Sequence, residues 1–285
     1  LAKEQGLAAD SLAQVLERAV QIGLLVAPRS KIRRSAGFPE GTVKEERYFA
    51  ASVFTLQWHL TQTCDLHCTH CYDRSHRYSL KLHQTLEILD DLSLFCKERH
   101  VRGQISFTGG NPLLYPTFLS VYRAAKERNF NLAILGNPVS RERIEELSAI
   151  EPPLFYQISL EGLERHNDRV RGAGHFQRSL DFLDTLRKMG IYSMVMLTLS
   201  RDNIDQVIPL AELLRDKTDL FTFNRLALVG EGANLRLPEK GRYAAFLESY
   251  MEAAHSNPII SLKDNLINVI RHRQGVEPFG GCTGY

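Results

Sequence analysis

From residue 53 onward, short apolar segments alternate with longer segments in which apolar residues recur at helical spacing. This alternation predicts parallel βα units, because a parallel strand is followed by a crossover connection that is usually a helix. The predicted strands cover residues 53–63, 104–108, 131–135, 155–160, 191–199 and 220–229. The predicted helices cover residues 80–98, 117–128, 140–149, 176–189, 203–215 and 243–254. Since sites in such folds cluster where strand C-termini meet the following loops, we expect the functional residues there.

The composition limits the size of the core and the class of partner. With 285 residues and 44% apolar content, the chain can bury one large core and a small appendage. A formal net charge of +2 gives no strong field of one sign, so nucleic acid is not expected as the main partner. No segment resembles a transmembrane helix or a secretory signal, so no membrane partner is expected. Five cysteines with clustered spacing suit a reducing cytoplasm better than a disulfide framework. From its two ends, Leu1 and Tyr285, we expect a piece of a longer protein.

Three of the five cysteines, Cys64, Cys68 and Cys71, follow the first predicted strand within eight positions. Three thiolates on one loop can hold three irons of a [4Fe–4S] cube and leave the fourth iron open to bind a reacting group. The alternative is a zinc site, in which the Cys68–Cys71 pair is joined by a nearby histidine, namely His67, His70 or His76. Merely buried thiols are a third interpretation, which the crowding of the three residues disfavours.

The spacing of the triplet, three residues and then two, is similar to the signature of the radical S-adenosylmethionine (radical SAM) superfamily. That resemblance implies an α/β fold with a partial (β/α)6 TIM barrel. It also implies a [4Fe–4S] cluster whose open iron chelates the amino and carboxylate groups of SAM. An electron from an external donor of the flavodoxin or ferredoxin type would then release a 5′-deoxyadenosyl radical, which abstracts hydrogen from substrate. The hard chemistry is the cofactor's, and the protein supplies ligands and orientation.

The second strand ends in Thr108-Gly-Gly-Asn-Pro112, where the family usually carries Gly-Gly-Glu-Pro. The resemblance implies that Gly109 and Gly110 let the backbone approach SAM and that residue 111 helps to hold the methionine ammonium. Asn111 departs from the family pattern, because its amide oxygen accepts a hydrogen bond without the charge assistance of a carboxylate. A simple βα turn is the alternative interpretation.

The fourth strand reads Tyr156-Gln-Ile-Ser-Leu-Glu-Gly162 and is followed by His166-Asn-Asp-Arg-Val-Arg-Gly-Ala-Gly-His-Phe176. This segment is similar to one found in the SPASM/twitch-type subgroup that contains anaerobic sulfatase maturases and other peptide modifiers. The similarity implies that Ser159 bonds the SAM ribose or carboxylate and that Arg171, with its planar two-donor fork, neutralises the carboxylate. Glu161 replaces the usual Asp, which conserves the charge but not the reach.

Three further positions fall at strand ends or beside the cysteines. Tyr72 follows the third cysteine, where the family usually has an aromatic residue near the adenine. Asn137 closes the third strand and either reaches the cofactor or only makes the turn. Val229 ends the predicted sixth strand, where relatives pack the adenine and approach substrate. No residue is assigned as an acid, a base or a second radical.

The two ends of the chain lie outside the predicted core of residues 53–255. Residues 1–45 form the N-terminal segment, in which residues 10–34 are predicted to form a helix, a glycine stop and a short apolar strand. This pattern resembles the tail of a winged helix that grips a leader peptide; a truncated structural cap is the alternative. Residues 256–285 resemble the start of a SPASM or twitch extension, in which Cys282 would be the first ligand of an auxiliary cluster completed beyond this chain. Cys96 is predicted to lie in the core.

The resemblance implies a ribosomally made peptide with a leader as the substrate. Gly-Gly-Asn-Pro followed by Leu-Leu-Tyr is most similar to maturases of selenobiotic, or thio(seleno)oxazole, peptides. A thioether-forming or sulfatase-maturing enzyme is the nearest alternative. A non-catalytic alternative is an iron–sulfur regulator that binds DNA, but such a protein should show a complete helix-turn-helix and a stronger basic excess.

Overall fold

In a computed structural model, residues 52–75 and 78–276 are described, together with residues 14–16 and 18–19. The chain divides into two compact units, Leu1–Ala50 and Ala51–Tyr285. In the first unit the described residues are helical. The predicted leader-binding strand, the linker after it and Cys282 lie outside the described residues, so these assignments stay predictions.

The second unit contains a six-stranded parallel sheet whose strand order follows the chain, β1 to β6. The strands are β1 (Val53–Thr61), β2 (Arg102–Gly109), β3 (Asn131–Leu135), β4 (Tyr156–Ser159), β5 (Ser193–Leu199) and β6 (Leu220–Arg225). The helices are α1 (Leu82–Glu98), α2 (Phe118–Glu127), α3 (Arg141–Ile150), α4 (Glu164–Arg171), α5 (His175–Lys188), α6 (Val207–Leu214), α7 (Lys240–Ser256) and α8 (Leu266–Arg273). Short 3₁₀ helices cover Pro112–Leu114, Ile204–Gln206 and Gly230–Asn234. The predicted fold class, a partial (β/α)6 barrel, is confirmed.

The strands and helices form because each carries an apolar face of the right period. Side chains along β5 alternate between buried and half-buried positions, as expected for a strand with helices outside it. On β2, Phe107 is fully buried and packs edge-on against Phe118 of α2, with Tyr122 one helical turn further along. On the other half of the sheet, Tyr156 of β4 packs edge-on against Phe182 of α5. The parallel ladders between neighbouring strands set the register, and because all six strands run in the same direction their carboxyl ends lie along one edge.

Most predicted boundaries differ from the structure by one to three residues, and two predicted elements differ more. The sixth strand ends at Arg225 instead of residue 229, so Val229 lies in the loop before the 3₁₀ helix Gly230–Asn234. The predicted helix over residues 203–215 is split into Ile204–Gln206 and α6. The sixth strand was predicted too long because the apolar run Leu226-Ala-Leu-Val229 continues past the last ladder residue, and hydrophobicity alone does not mark that end.

Residues beyond the predicted core boundary at residue 255 also contact the sheet. The amide of Phe221 donates to the Ile259 carbonyl at 2.7 Å, and the amide of Ser261 donates to the Phe221 carbonyl at 2.9 Å. Ile267 of α8 is almost fully buried in the same core. The first part of the predicted C-terminal extension therefore packs on the barrel. Within the described residues, no helix has the length and apolarity needed to cross a membrane.

Candidate active site

The cysteine loop starts at the carboxyl end of β1 and is held there by the end of β2. The amide of Gly110 donates to the Thr61 carbonyl at 2.7 Å, and the amide of Asn111 donates to the Thr63 carbonyl at 2.8 Å. A Cβ on Gly109, whose φ is +130°, would lie 2.2 Å from the Thr61 oxygen, and one on Gly110 would lie 2.3 Å from the Thr63 oxygen. Both glycines are thus required by the close approach of two backbones. Their predicted approach to SAM stays a prediction.

The other side of the cysteine loop is held by two elements far along the chain. The amide of Thr69 donates to the Val170 carbonyl of α4 at 3.1 Å, and the amide of Glu231 donates to the Cys71 carbonyl at 2.8 Å. Gly230, at φ +56°, has no room for a side chain, because a Cβ there would lie 2.4 Å from the Tyr72 carbonyl oxygen. The loop is therefore fixed by backbone contacts at both ends.

The three cysteine thiols of the loop are partly buried and free of disulfides. Burial raises the pKa of the Cys68 thiol; the Arg171 charge lowers it, while Glu161 and the other two thiols raise it further. Cys64 and Cys71 therefore lie near enough to Cys68 to act on its charge. In the described part of the chain, no three metal-binding side chains converge on a single ion.

Asp65, one residue after the first cysteine, joins the ends of β2 and β3 to the loop. Its Oδ1 accepts a hydrogen bond from Asn111 Nδ2 at 2.9 Å and another from Asn137 Nδ2 at 2.7 Å. The same Asn137 nitrogen lies 3.6 Å from Cys64 Sγ. Asn111 Oδ1 accepts from the Leu113 amide at 3.2 Å and so caps the 3₁₀ helix. The structure therefore brings two predicted residues, Asn111 and Asn137, to one carboxylate that the sequence analysis did not single out.

A buried carboxylate, Glu161, occupies the end of β4 below the loop. Arg171 donates to its Oε1 from Nη2 at 2.6 Å and from Nε at 2.9 Å. Its Oε2 accepts from the Thr198 amide at 2.8 Å, and His70 Nε2 lies 3.4 Å from Oε1. Burial alone would raise the pKa of Glu161, but the charges of His70 and Arg171 and these hydrogen bonds hold it below its usual range. Glu161 is thus an anion, and Arg171 is its counterion.

The remaining predicted residues lie around this centre. Ser159 is half-buried at the end of β4, and its hydroxyl makes no hydrogen bond within the described part of the chain, which leaves it free for a ligand. Tyr72 is half-exposed, and its hydroxyl lies 3.1 Å from His59 Nδ1 of β1. Val229 is also about half-exposed, next to the segment that contacts the Cys71 carbonyl. Their predicted roles toward SAM stay predictions.

A cavity of about 350 Å³ opens beside the Thr69–His70 part of the loop, at the carboxyl ends of β4 and β5. Its lining is mostly polar and includes Glu161, His166, Thr198 and Ser200. Because cysteine loop, buried ion pair and cavity share one edge of the sheet, a ligand in the cavity would lie directly against the loop.

Comparison with known proteins identifies the class. The family model of the radical SAM superfamily matches residues 58–214, more than half of the chain, and the chain belongs to that superfamily. The family's cofactors are a [4Fe–4S] cluster and SAM, and the loop, glycines and polar strand ends described above suit them.

Individual curated relatives share less than 30% sequence identity with the chain over the matched segments. The chain is 26% identical over 186 residues to the Fe-coproporphyrin III synthase of Methanosarcina barkeri, covering 62% of this chain and 45% of that protein. It is 29% identical over 187 residues to the mycofactocin maturase MftC of Mycobacterium ulcerans, covering 63% and 49%. The chain thus spans about half the length of these curated relatives. Among solved structures, anSMEcpe with bound AdoMet and the Cp18Cys peptide shares the fold, with a TM-score of 0.63, 15% identity and coverage of 81% and 69%.

Proposed function

We propose that this chain is the catalytic core of a radical SAM enzyme that modifies a ribosomally made peptide. The observation that carries the proposal is the three-cysteine loop, clamped by backbone contacts at the carboxyl edge of the sheet beside a polar cavity. When bound together, the cluster and SAM supply a 5′-deoxyadenosyl radical that removes a hydrogen atom from substrate.

In this proposal the residues of the chain bind and orient. Cys64, Cys68 and Cys71 each hold one iron of the cluster and leave one iron open. Ser159 donates or accepts a hydrogen bond at the ribose or carboxylate of SAM. Arg171 bears the positive charge nearest the predicted SAM carboxylate, although Glu161 already takes two of its donors. The electron enters from a small external donor of the flavodoxin or ferredoxin type.

The peptide substrate is supported by the segment from Tyr156 to Phe176, which resembles that of peptide modifiers, and by MftC, which is named a maturase. Selenobiotic, or thio(seleno)oxazole, peptides are the proposed substrate subclass. Residues 1–45 are proposed to recognise the leader, and a cytoplasmic location is proposed from the cysteine usage. An auxiliary cluster at Cys282 would need ligands from beyond this chain.

A second candidate substrate is a tetrapyrrole, because the Fe-coproporphyrin III synthase of Methanosarcina barkeri covers the same share of the chain as MftC does. A modified peptide and a modified tetrapyrrole differ in mass, so mass spectrometry of the products distinguishes the two candidate substrates.

The test uses anaerobically reconstituted protein with SAM and a chemical reductant. We expect 5′-deoxyadenosine to form, and a deuterated precursor peptide from a neighbouring reading frame to transfer deuterium into it and to change in mass. A variant with all three loop cysteines replaced by Ala is the control. No 5′-deoxyadenosine above that control would refute SAM cleavage. A mass change in a tetrapyrrole precursor of Fe-coproporphyrin III, with none in the peptide, would refute the peptide substrate alone.

A further inference from the structure

Asp65 has an unusual set of partners for a carboxylate beside a metal-binding loop. Both of its hydrogen bonds in the structure come from neutral amides, those of Asn111 and Asn137, and both go to Oδ1. Across the residues that the structure describes, no lysine or arginine forms an ion pair with it, and Oδ2 accepts no hydrogen bond. The side chain is also exposed toward solvent. Two amides therefore fix the direction of this carboxylate without neutralising its charge.

A second anion at this end of the sheet, Glu161, is already neutralised, because it is almost fully buried and takes two hydrogen bonds from Arg171. Asp65, by contrast, carries a negative charge that no cation pairs with in the described part of the chain, and this charge is available to a ligand at the loop. Because one Asn137 nitrogen contacts both Asp65 Oδ1 and Cys64 Sγ, this charge lies beside the first cysteine of the loop.

SAM brings an amino group on its methionine moiety, and this nitrogen keeps N–H hydrogen-bond donors but no free acceptor when it ligates the open iron of the cluster. Asn111 offers it only a neutral amide oxygen, and that oxygen already accepts from the Leu113 amide. Asp65 offers a charged oxygen at hydrogen-bonding distance from the Asn111 amide. Charge-assisted hydrogen bonds are about twice as strong as neutral ones.

We propose that Asp65 is the residue that binds the amino group of SAM, and that Asn111 and Asn137 are positioning residues that orient the Asp65 carboxylate. In this chain the negative charge at the amino-group site thus lies on the cysteine loop, and the Asn111 amide that holds this carboxylate follows the end of β2. This inference rests on the proposed function, in which the chain binds SAM, and it adds which side chain binds the amino group of SAM.

The test measures the SAM dissociation constant of the reconstituted protein by anaerobic calorimetry, with 5′-methylthioadenosine as a second ligand. That nucleoside retains the adenine and ribose of SAM but lacks the amino-acid part. D65N, which keeps the shape of the side chain, is expected to weaken SAM about 10- to 100-fold, the effect of losing one hydrogen bond to a charged group. The same variant should bind 5′-methylthioadenosine as the parent protein does. D181N, on the exposed face of α5, is the matched control and should change neither constant.

A charge swap separates a direct contact from a structural role. The double variant D65N/N111E exchanges the two groups, so that the carboxylate lies at position 111 and the amide at position 65. We expect the double variant to bind SAM at least tenfold more tightly than D65N does. Iron and sulfide content is measured for each variant, so that loss of cluster is seen directly. Unchanged SAM affinity in D65N would overturn the proposal. Equal weakening of both ligands in D65N, or no recovery in the double variant, would also overturn it. If the parent protein itself bound no SAM, the proposed function would fail instead.

Discussion

Arg171 directs two of its donors, Nε at 2.9 Å and Nη2 at 2.6 Å, to the same oxygen of Glu161, and both side chains are nearly excluded from solvent. The pair joins the last residue of α4 to the end of β4, and Cys68 responds electrostatically to both partners. Taking two charges out of water is costly, so each depends on the other. Arg171 therefore has a structural role in this ion pair, and its role in SAM binding stays a prediction.

The first prediction concerns this ion pair. Arg171→Ala leaves the buried Glu161 carboxylate without its counterion, and removal of one partner of a buried pair costs about 3–5 kcal/mol. We expect a loss of that size in the free energy of unfolding, measured by urea titration under anaerobic conditions. Arg165→Ala, on the exposed face of the same helix, should stay within about 0.5 kcal/mol of the parent. Equal stability of the two variants would show that Glu161 does not need Arg171.

The second prediction concerns the glycines at the end of β2. Gly109→Ala places a Cβ 2.2 Å from the Thr61 carbonyl oxygen at a backbone φ of +130°, which L residues rarely adopt. We expect a loss of at least about 2 kcal/mol in unfolding free energy, from strain and displacement of the cysteine loop. Gly241→Ala at the start of α7 is the control, because a Cβ there meets nothing within 4 Å. That control should be neutral or stabilise the protein by up to about 1 kcal/mol. A neutral Gly109→Ala would contradict the described packing of β2 on β1.

The barrel was predictable because its strands and helices differ in period. The strand over residues 131–135 has the predicted bounds, since β3 is an apolar run between two turn signals. Helix α4 was not predicted, because Glu164-Arg-His-Asn-Asp-Arg-Val-Arg171 has no apolar stripe and its helical form depends on packing against the cysteine loop. Tertiary contacts decide such short polar helices, and a single sequence does not reveal those contacts.

The location of the predicted site residues followed from the sequence, but their contacts did not. The cysteines, the glycines, Ser159 and Arg171 lie at the carboxyl edge of the sheet, where the parallel βα units place them, and their roles toward SAM stay predictions. The bond between Asp65 and Asn111 joins residues 46 positions apart through two loops, and loop geometry has no period in the sequence. The available signal was an acidic residue beside the first cysteine in a chain that lacks the family's usual glutamate at position 111.

The third prediction concerns the cluster ligands. Replacing Cys64, Cys68 and Cys71 together by Ala should abolish the cluster's visible absorption while the far-ultraviolet circular dichroism is retained, because the three residues lie on one loop outside the strands and helices. Cys96→Ala is the matched control, since Cys96 is a buried core residue of α1. We expect that control to keep full iron and sulfide content, with a modest loss of stability. Stoichiometric iron and sulfide in the triple variant would contradict the assignment of these ligands.

The last prediction concerns a buried histidine on the far side of the Arg171 helix. His175, at the start of α5, is 1% exposed, and its Nδ1 lies 3.1 Å from Asn167 Nδ2. Burial, together with the charges of Arg171 and Arg178, lowers the pKa of His175 to about 4 from its ordinary value of 6.5. Between these two pH values the unfolded chain binds a proton that the folded chain does not bind. Folding stability must therefore fall as the pH falls through that window.

The size of this effect follows from the two pKa values. Between pH 7.5 and pH 5, His175 should remove about 2 kcal/mol from the free energy of unfolding. The contribution of Glu161 is lost mainly below this range, because the ordinary pKa at which the unfolded chain protonates this residue is 4.5. The free energy of unfolding is measured by urea titration at pH 7.5, 6.5 and 5. In His175→Gln this free energy should fall about 2 kcal/mol less over the range than in the parent protein, because the amide does not titrate. In His255→Gln, which changes an exposed position on α7, it should fall as much as in the parent protein. If His175→Gln and the parent protein lost equal stability over this range, His175 would have to be protonated in the folded protein, and the prediction of a neutral buried imidazole would be wrong.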